Sequence, residues 1–342
     1  MKYLDNMTLS QLEDFFESMG EKKFRAKQIF EWIHNKNINN FDECTNIAAS
    51  LRDKLKEEAI LTEAEIVERL DSKLDGTKKY LLKLEDDNII ETVFMKYSYG
   101  NSLCISSQIG CRMGCSFCAS TKKGVVRNLT VGELLQQIYV VQKDTGEKIN
   151  HIVIMGSGEP MENYDNMIEF FNLINHEKGQ NLSLRRITVS TCGIVPKIIE
   201  LADLNLQITL AISLHASNQS KREELMPIAR KYDLDELMKA CDYYIRETNK
   251  RITFEYILIN EVNDSELDAL ELVRLLKRRL CNVNLIPYNS VEENDIKTSK
   301  RQRVVRFQKI LDKNGITSTI RRELGSDINA ACGQLRYKYL YD

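Results

Sequence analysis

LCISSQIGCRMGCSFCAS, residues 103–120, runs from a short strand pattern into a loop holding Cys111, Cys115 and Cys118, spaced by three and then two residues. The strand is the first of a series. HIVIMG, RITVST, QITLAISLH, RITFEYILI and VNLIPYN follow it, with helical patterns between them, one opened by the capping-box spacing Thr130-Val131-Gly132-Glu133. Six strand-helix units over about two hundred residues imply a parallel sheet. A full eight-unit barrel takes about 250 residues, so the expected fold class is α/β, a partial (β/α)6 TIM-like barrel left partly open; a doubly wound sheet shares the pattern. In either arrangement the active face lies at the carboxyl ends of the strands, and the cysteine loop sits on that face.

The first sixty residues read as helices. Thr8-Leu9-Ser10-Gln11 has capping-box spacing, Gly20 can close the helix it opens, and FRAKQIFEWIHNK sets Phe24, Ile29, Trp32 and Ile33 at helical intervals. From Glu65 the period changes: EIVERLDS, KKYLLKLE and IIETVFMKY read as short strands joined by turns at Asp75-Gly76 and Asp86-Asp87-Asn88. The expected organisation is a helical accessory region, 1–62, a β-meander linker, 63–96, a barrel core, 97–325, and a tail, 326–342.

Hydrophobic residues make up 43% of the 342 and charged residues 29%, with only 15 glycines and 4 prolines, which excludes disordered and collagen-like chains. No apolar stretch near the amino terminus approaches the ~18 residues of a membrane span, so a cytoplasmic protein without membrane attachment is expected. In that reducing compartment the nine cysteines do not suggest a disulfide framework, and a tight group of them points to metal binding or catalysis. A net charge of −2 argues against a nucleic-acid binder on overall charge. Locally, residues 297–322 carry nine basic side chains against one acid, Asp312, and read either as a solvated helix face or as a surface for RNA phosphates.

A tetrahedral ion takes four ligands, and zinc modules usually present paired C-x-x-C units. Three cysteines on one loop fit a different host, because thiolates can hold three corners of an iron–sulfur cluster and leave the fourth iron open. An open iron can bind the amino and carboxylate groups of S-adenosylmethionine and pass it one electron, cleaving the sulfonium to an adenosyl radical. The alternative is zinc, completed by a remote residue such as Cys104 or His215. Met155-Gly156-Ser157-Gly158-Glu159-Pro160 ends the second strand, where Gly158 permits close backbone approach and Glu159 can accept from a ligand ammonium. Ser190 ends the third strand, Ser213-Leu214-His215 the fourth and Asn289 the sixth, so polar groups recur where a cofactor would be held.

The C-x-x-x-C-x-x-C spacing, with Phe117 before its last cysteine, resembles the signature of the radical S-adenosylmethionine (radical SAM) superfamily. Near the carboxyl end, GSDINAACGQL places Cys332 before Gly333. Together with LCISSQIGC, GSGEP, VSTCG, AISLHA and LIPYN in this order, and FRAKQIFEWIH ahead of them, nearly the full chain closely resembles the RlmN family of bacterial dual-specificity adenine C2-methyltransferases. The resemblance implies a radical SAM barrel with one [4Fe-4S] cluster on Cys111, Cys115 and Cys118, and two S-adenosylmethionine molecules per turnover. The implied substrates are an adenosine in the peptidyl-transferase region of 23S rRNA and the adenosine 3′ of the anticodon in tRNA. An electron donor such as flavodoxin or ferredoxin is implied as a further partner, and a monomer is expected.

The resemblance also assigns roles. Cys332 becomes the S-methylcysteine intermediate, because C2 of adenine is electron-poor and accepts a carbon radical where direct methyl displacement fails. Release of the protein–RNA adduct then needs loss of the C2 proton, with Glu91 of IIETV as acceptor, and attack by a second thiol on the Cys332 sulfur. Cys104 is the candidate, through a transient Cys104–Cys332 disulfide. Cys44, Cys192, Cys241 and Cys281 match no catalytic position and read as packing residues. Ser157 stands where the family usually has methionine and Asn329 where it usually has aspartate; neither change removes a reactive atom. Two enzymes share the triplet: a C8-adenine rRNA methyltransferase of the Cfr type, associated with antibiotic resistance, which also shares Cys104 and Cys332, and a glycyl-radical activase, which has no need of Cys332. A non-enzymatic iron–sulfur or zinc module predicts four protein ligands.

Overall fold

A two-residue strand, β1 (Lys2–Tyr3), pairs in parallel with β2 (Ala59–Ile60), so the first sixty residues close on themselves in the computed structural model, which describes residues 1–288 and 296–328. Between these strands lie α1 (Leu9–Ser18), α2 (Lys23–His34) and α3 (Ala49–Glu58). The Thr8 hydroxyl accepts from the Gln11 N–H at 3.3 Å and the Gln11 side chain accepts from the Thr8 N–H at 2.8 Å, the reciprocal cap that the spacing predicts. On α2 the buried stripe is Ile29, Phe30 and Ile33; Phe24, one turn earlier, stays 48% exposed instead of joining it.

The meander strands β3 (Ala64–Asp71), β4 (Lys78–Leu84) and β5 (Ile89–Tyr97) are antiparallel, with positive φ at Gly76 and Asp87 in their two turns. β5 pairs with β6 (Gly100–Ile105), the first barrel strand, so the meander continues the same sheet. After β6 come a two-stranded ribbon, β7 (Gln108–Gly110) with β8 (Val125–Asn128), and then α4 (Val131–Thr145), capped by Thr130 as its spacing predicts.

Alternation follows: β9 (His151–Ile154), α5 (Tyr164–Asn175), β10 (Ile187–Thr191), α6 (Val195–Asp203), β11 (Thr209–Ser213), α7 (Gln219–Leu225) and α8 (Leu234–Thr248). Then come β12 (Ile252–Leu258), α9 (Glu266–Leu276), β13 (Cys281–Pro287), α10 (Arg301–Lys313) and β14 (Ser318–Ile320). The ten-stranded sheet runs β14-β13-β12-β11-β10-β9-β6-β5-β4-β3, parallel from β14 to β6 and antiparallel beyond. This is the open α/β barrel expected from the alternation, with one parallel strand more than the pattern predicts. β14 is only three residues long, too short to carry a period of its own.

The core is continuous from the helical region to the barrel. The seam has polar pins: Asn6 Oδ1 accepts from the Gly132 N–H at 2.8 Å, and His34 Nδ1 meets the Tyr139 hydroxyl at 2.9 Å. Asp5 accepts from the Thr62 N–H through both oxygens, at 3.2 Å each. The basic stretch of the sequence does not present one face. Val304, Phe307 and Leu311 seat α10 on the core, Arg303 pairs with Asp264 at 2.8 Å and Arg306 with Glu266 at 2.7 Å, while Arg321 and Arg322 turn toward the barrel interior.

Candidate functional site

The carboxyl ends of the parallel strands surround a cavity of about 350 Å³. Cys111, Cys115 and Cys118 line it from the loop after β7, so a ribbon strand intervenes between β6 and the triplet. Gly110 makes the turn possible. Its φ is +77°, and a Cβ there would stand 2.1 Å from the Gly124 carbonyl oxygen, so no other residue fits without moving the ribbon.

The sequence-derived residues converge on this cavity from separate strands. Gly158 and Glu159 reach it from the end of β9, Ser190 from β10, and Ser213 and His215 from β11. Glu91 on β5 and Cys104 on β6 line it from the strands that continue the sheet beyond β9. Leu214 does not reach it: its side chain packs in the main core and its N–H donates to the Glu255 carbonyl at 3.0 Å. Asn289 and Cys332 lie outside the described residues.

Local bonding narrows what each group can do. Glu159 is buried, and its oxygens accept from the Met161 and Cys192 N–H groups at 3.0 and 2.8 Å, leaving lone pairs on a carboxyl whose pKa burial pushes up. Gly158, with φ +104°, lets that turn lie against the Gln108 backbone, where a Cβ would approach the nitrogen to 2.6 Å. The Ser190 and Ser213 hydroxyls face each other at 3.3 Å. His215 Nδ1 accepts from the Ile257 N–H at 3.0 Å, and burial lowers its pKa to about 3, so the ring is neutral and Nε2 carries the proton. A protonated Nε2 has no lone pair for a metal, which removes His215 as a fourth zinc ligand.

The donor set suits an iron–sulfur cluster. Burial pushes the Cys111 thiol up to about 12 and raises Cys115 as well, and each is raised further by Cys118 nearby, so the unmetallated thiols keep their protons. Soft sulfur ligands in an apolar shell of Met113, Met226, Ile257 and Tyr288 are what cluster irons take. Among the described residues, no three His, Cys, Asp or Glu side chains are grouped as one ion requires; a cluster places each cysteine on a different iron. Polar capacity is also waiting: the Ser157 and Tyr288 hydroxyls line the cavity, buried and without hydrogen-bond partners, as a polar ligand such as S-adenosylmethionine would need.

Several residues at the site escape a reading by motif. Val93, Met95 and Tyr97 follow Glu91 at every second position of β5 and line the same wall; the alternation in IIETVFMKY carried that signal. Lys79 of β4 lies 3.4 Å from Glu91, an ion pair with both side chains out of water. Cys192, expected to be a packing residue, also lines the cavity, whereas Cys44 and Cys241 are buried in the main core. Arg321, Arg322 and Glu255 close the far side.

Residues 3–61 match the family model of the ribosomal RNA large subunit methyltransferase N-terminal domain, and residues 105–273 match the radical SAM superfamily. A probable dual-specificity RNA methyltransferase RlmN of Clostridium novyi is 55% identical over 340 residues, 99% of both chains. The chain belongs to the RlmN family. A second RlmN relative, from Lachnospira eligens, is 54% identical over all of this chain and 98% of its own length. The crystal structure of a radical SAM methyltransferase from Sphaerobacter thermophilus superposes with a TM-score of 0.94 at 41% identity, covering 98% of this chain and 99% of that one. The superfamily implies a [4Fe-4S] cluster and S-adenosylmethionine, and membership in RlmN makes the chain a transferase, which sets aside the activase and the non-enzymatic module.

Proposed function

We propose that this enzyme forms 2-methyladenosine in RNA, in 23S rRNA and in tRNA, by way of a methylated cysteine and a transient protein–RNA adduct. The observation that carries the reading is the convergence of Glu91, Cys104 and the three loop cysteines on one cavity. Cys111, Cys115 and Cys118 would hold the cluster, which when bound supplies the electron that turns S-adenosylmethionine into a hydrogen-abstracting radical. Two such molecules are consumed per turnover, one to methylate Cys332 and one to activate that methyl group. Gly158, Glu159, Ser190, Ser213 and the neutral His215 ring line the space for the cofactor, with Asn289 expected to contribute beside them.

The remaining steps belong to the chain. Glu91 accepts the C2 proton of the adduct. Once the adduct has given up its unpaired electron to a one-electron acceptor, Cys104, as thiolate, attacks the Cys332 sulfur; the bond from that sulfur to the methylene carbon breaks, its electrons stay with the methylene, which takes a proton from water to become the methyl group, and a Cys104–Cys332 disulfide forms that a dithiol reductant reopens. Glu91 and Cys104 stand on neighbouring strands, where Val93 pairs with Cys104, so the two groups address one bound base from a common wall. Arg321 and Arg322 at the cavity supply positive charge for RNA phosphates. The C2 position is favoured over C8 by the likeness of GSGEP and LIPYN to the C2-methyltransferase form.

Anaerobic reconstitution with methyl-labelled S-adenosylmethionine tests carrier and product together: label is expected on Cys332 first and on C2 of adenosine afterwards. An 8-methyladenosine product would overturn the positional assignment, and full RNA methylation by Cys332→Ala would overturn the covalent route. Cys104→Ala is expected to leave labelled RNA attached to protein on denaturing gels. Free product at the normal yield would remove Cys104 from the release step.

A further inference from the structure

Arg222 on α7 is 1% exposed and lies behind the cavity wall. Its Nη2 donates to the Cys192 carbonyl at 2.7 Å and reaches the Ser213 carbonyl at 3.5 Å, bridging the ends of β10 and β11, while Nε and Nη1 have no partner. Among the described residues no carboxylate pairs with it. Burial lowers its pKa, and the groups acting in the opposite direction are Cys192, Cys115 and Cys241, all thiols. Arginine does not shed its proton in a protein, so α7 holds a fixed positive charge where a charge without a partner is costly.

The same helix is the floor of the triplet loop. The Ser116 N–H donates to the Leu225 carbonyl at 3.0 Å, a Cβ on Gly114 would touch Pro227 at 3.4 Å, and Leu225 and Met226 share an apolar cluster with Cys111 and Cys115. A buried guanidinium with two idle donors therefore sits beside the one place in the fold where thiolates are to be held. With the thiols protonated nothing balances it; with three thiolates on a cluster, negative charge stands next to it.

We propose that Arg222 is the built-in counter-charge of the iron–sulfur site, a positioning residue that favours loading of the cluster and its one-electron reduced state. The proposal rests on the reading of Cys111, Cys115 and Cys118 as cluster ligands. Reduction adds one electron, from a low-potential donor or from dithionite in the test, to a site that already carries three thiolates, and a nearby cation stabilises the added charge. The linkage is reciprocal, since what the arginine gives the cluster the cluster gives the arginine.

The test measures cluster potential and thermal stability in the full chain for Arg222→Met, Arg222→Gln and Arg222→Lys. Gln keeps a donor for the Cys192 carbonyl without the charge, and serves if Met does not fold; Lys keeps the charge without the fork. In dithionite titrations followed by electron paramagnetic resonance, both neutral variants are expected to shift the potential to more negative values, with Lys restoring it toward that of the parent. In melts, the neutral variants are expected to lose less stability without iron than with it, or to gain some without it. Unchanged potentials in iron-loaded neutral variants would overturn the proposal, as would Lys shifting like Gln. A parent chain that takes up no cluster would instead sink the ligand reading, a separate result.

Discussion

Lys79 and Glu91 form a buried ion pair between two meander strands at the cavity wall, and neither alternation nor motif announces it. A lysine in KKYLLKLE reads as solvent-facing, yet β4 is covered on both sides, and its register sets Leu81 opposite Glu91 with Lys79 diagonal to it. Lys79→Met removes one partner of a buried pair and is expected to cost about 3–5 kcal/mol, because the remaining carboxylate stays out of water. Urea unfolding of both single variants and of Lys79→Met with Glu91→Gln checks this: the double variant should recover part of the loss. A purely additive cycle would show that the pair contributes no coupling. Glu91 itself was legible only through family likeness, since a lone glutamate in a strand carries no signature; its lysine became visible only with strand pairing in hand.

The cysteine loop was the most legible part of the chain, because three thiols at fixed spacing have few other uses. Its support was less so. β7 and β8 are three and four residues long, and their pairing depends on Gly110 lying against the Gly124 carbonyl. Gly110→Ala is therefore expected to break the ribbon and lower iron content per chain after reconstitution, while leaving the strand content of the barrel intact by circular dichroism. Normal iron loading in that variant would show that the loop holds its shape without the ribbon. The six longer parallel strands were readable from apolar runs between helices, whereas β14 was not. Charge counted along the basic stretch does not say which side chains find acids on α9 and which line the cavity.

The helical region and the barrel share one core, and the seam between them is sensitive to acid. His34 is buried, packed on Phe30 and bonded to Tyr139, and burial lowers its pKa to about 3 from 6.5. The unfolded chain takes up a proton there between pH 6.5 and about 3 that the folded chain refuses, so stability contributed by neutral His34 is lost as pH falls through that window. Asp5 works in the other direction. Its pKa is raised from 3.8 to about 6 by burial, so its contribution is fully present below 3.8 and fades as pH rises through 6. Thermal melts from pH 7 to 4 are expected to show Tm falling with acid, less steeply in His34→Gln and more steeply in Asp5→Asn. Parallel curves for all three proteins would place the acid sensitivity elsewhere.

Continuity of the sheet has one more consequence. Glu91 and Cys104 sit on two arms of a single hairpin, 89–105, whose register fixes their separation as backbone geometry does, not as side-chain rotamers do. No exchange of a neighbouring side chain alters the spacing that this register sets between the two positions. If the pair acts on the base as proposed, a relative that modifies another edge of the adenine ring would have to present the nucleobase differently to an unchanged pair of jaws, through the surfaces that orient the RNA.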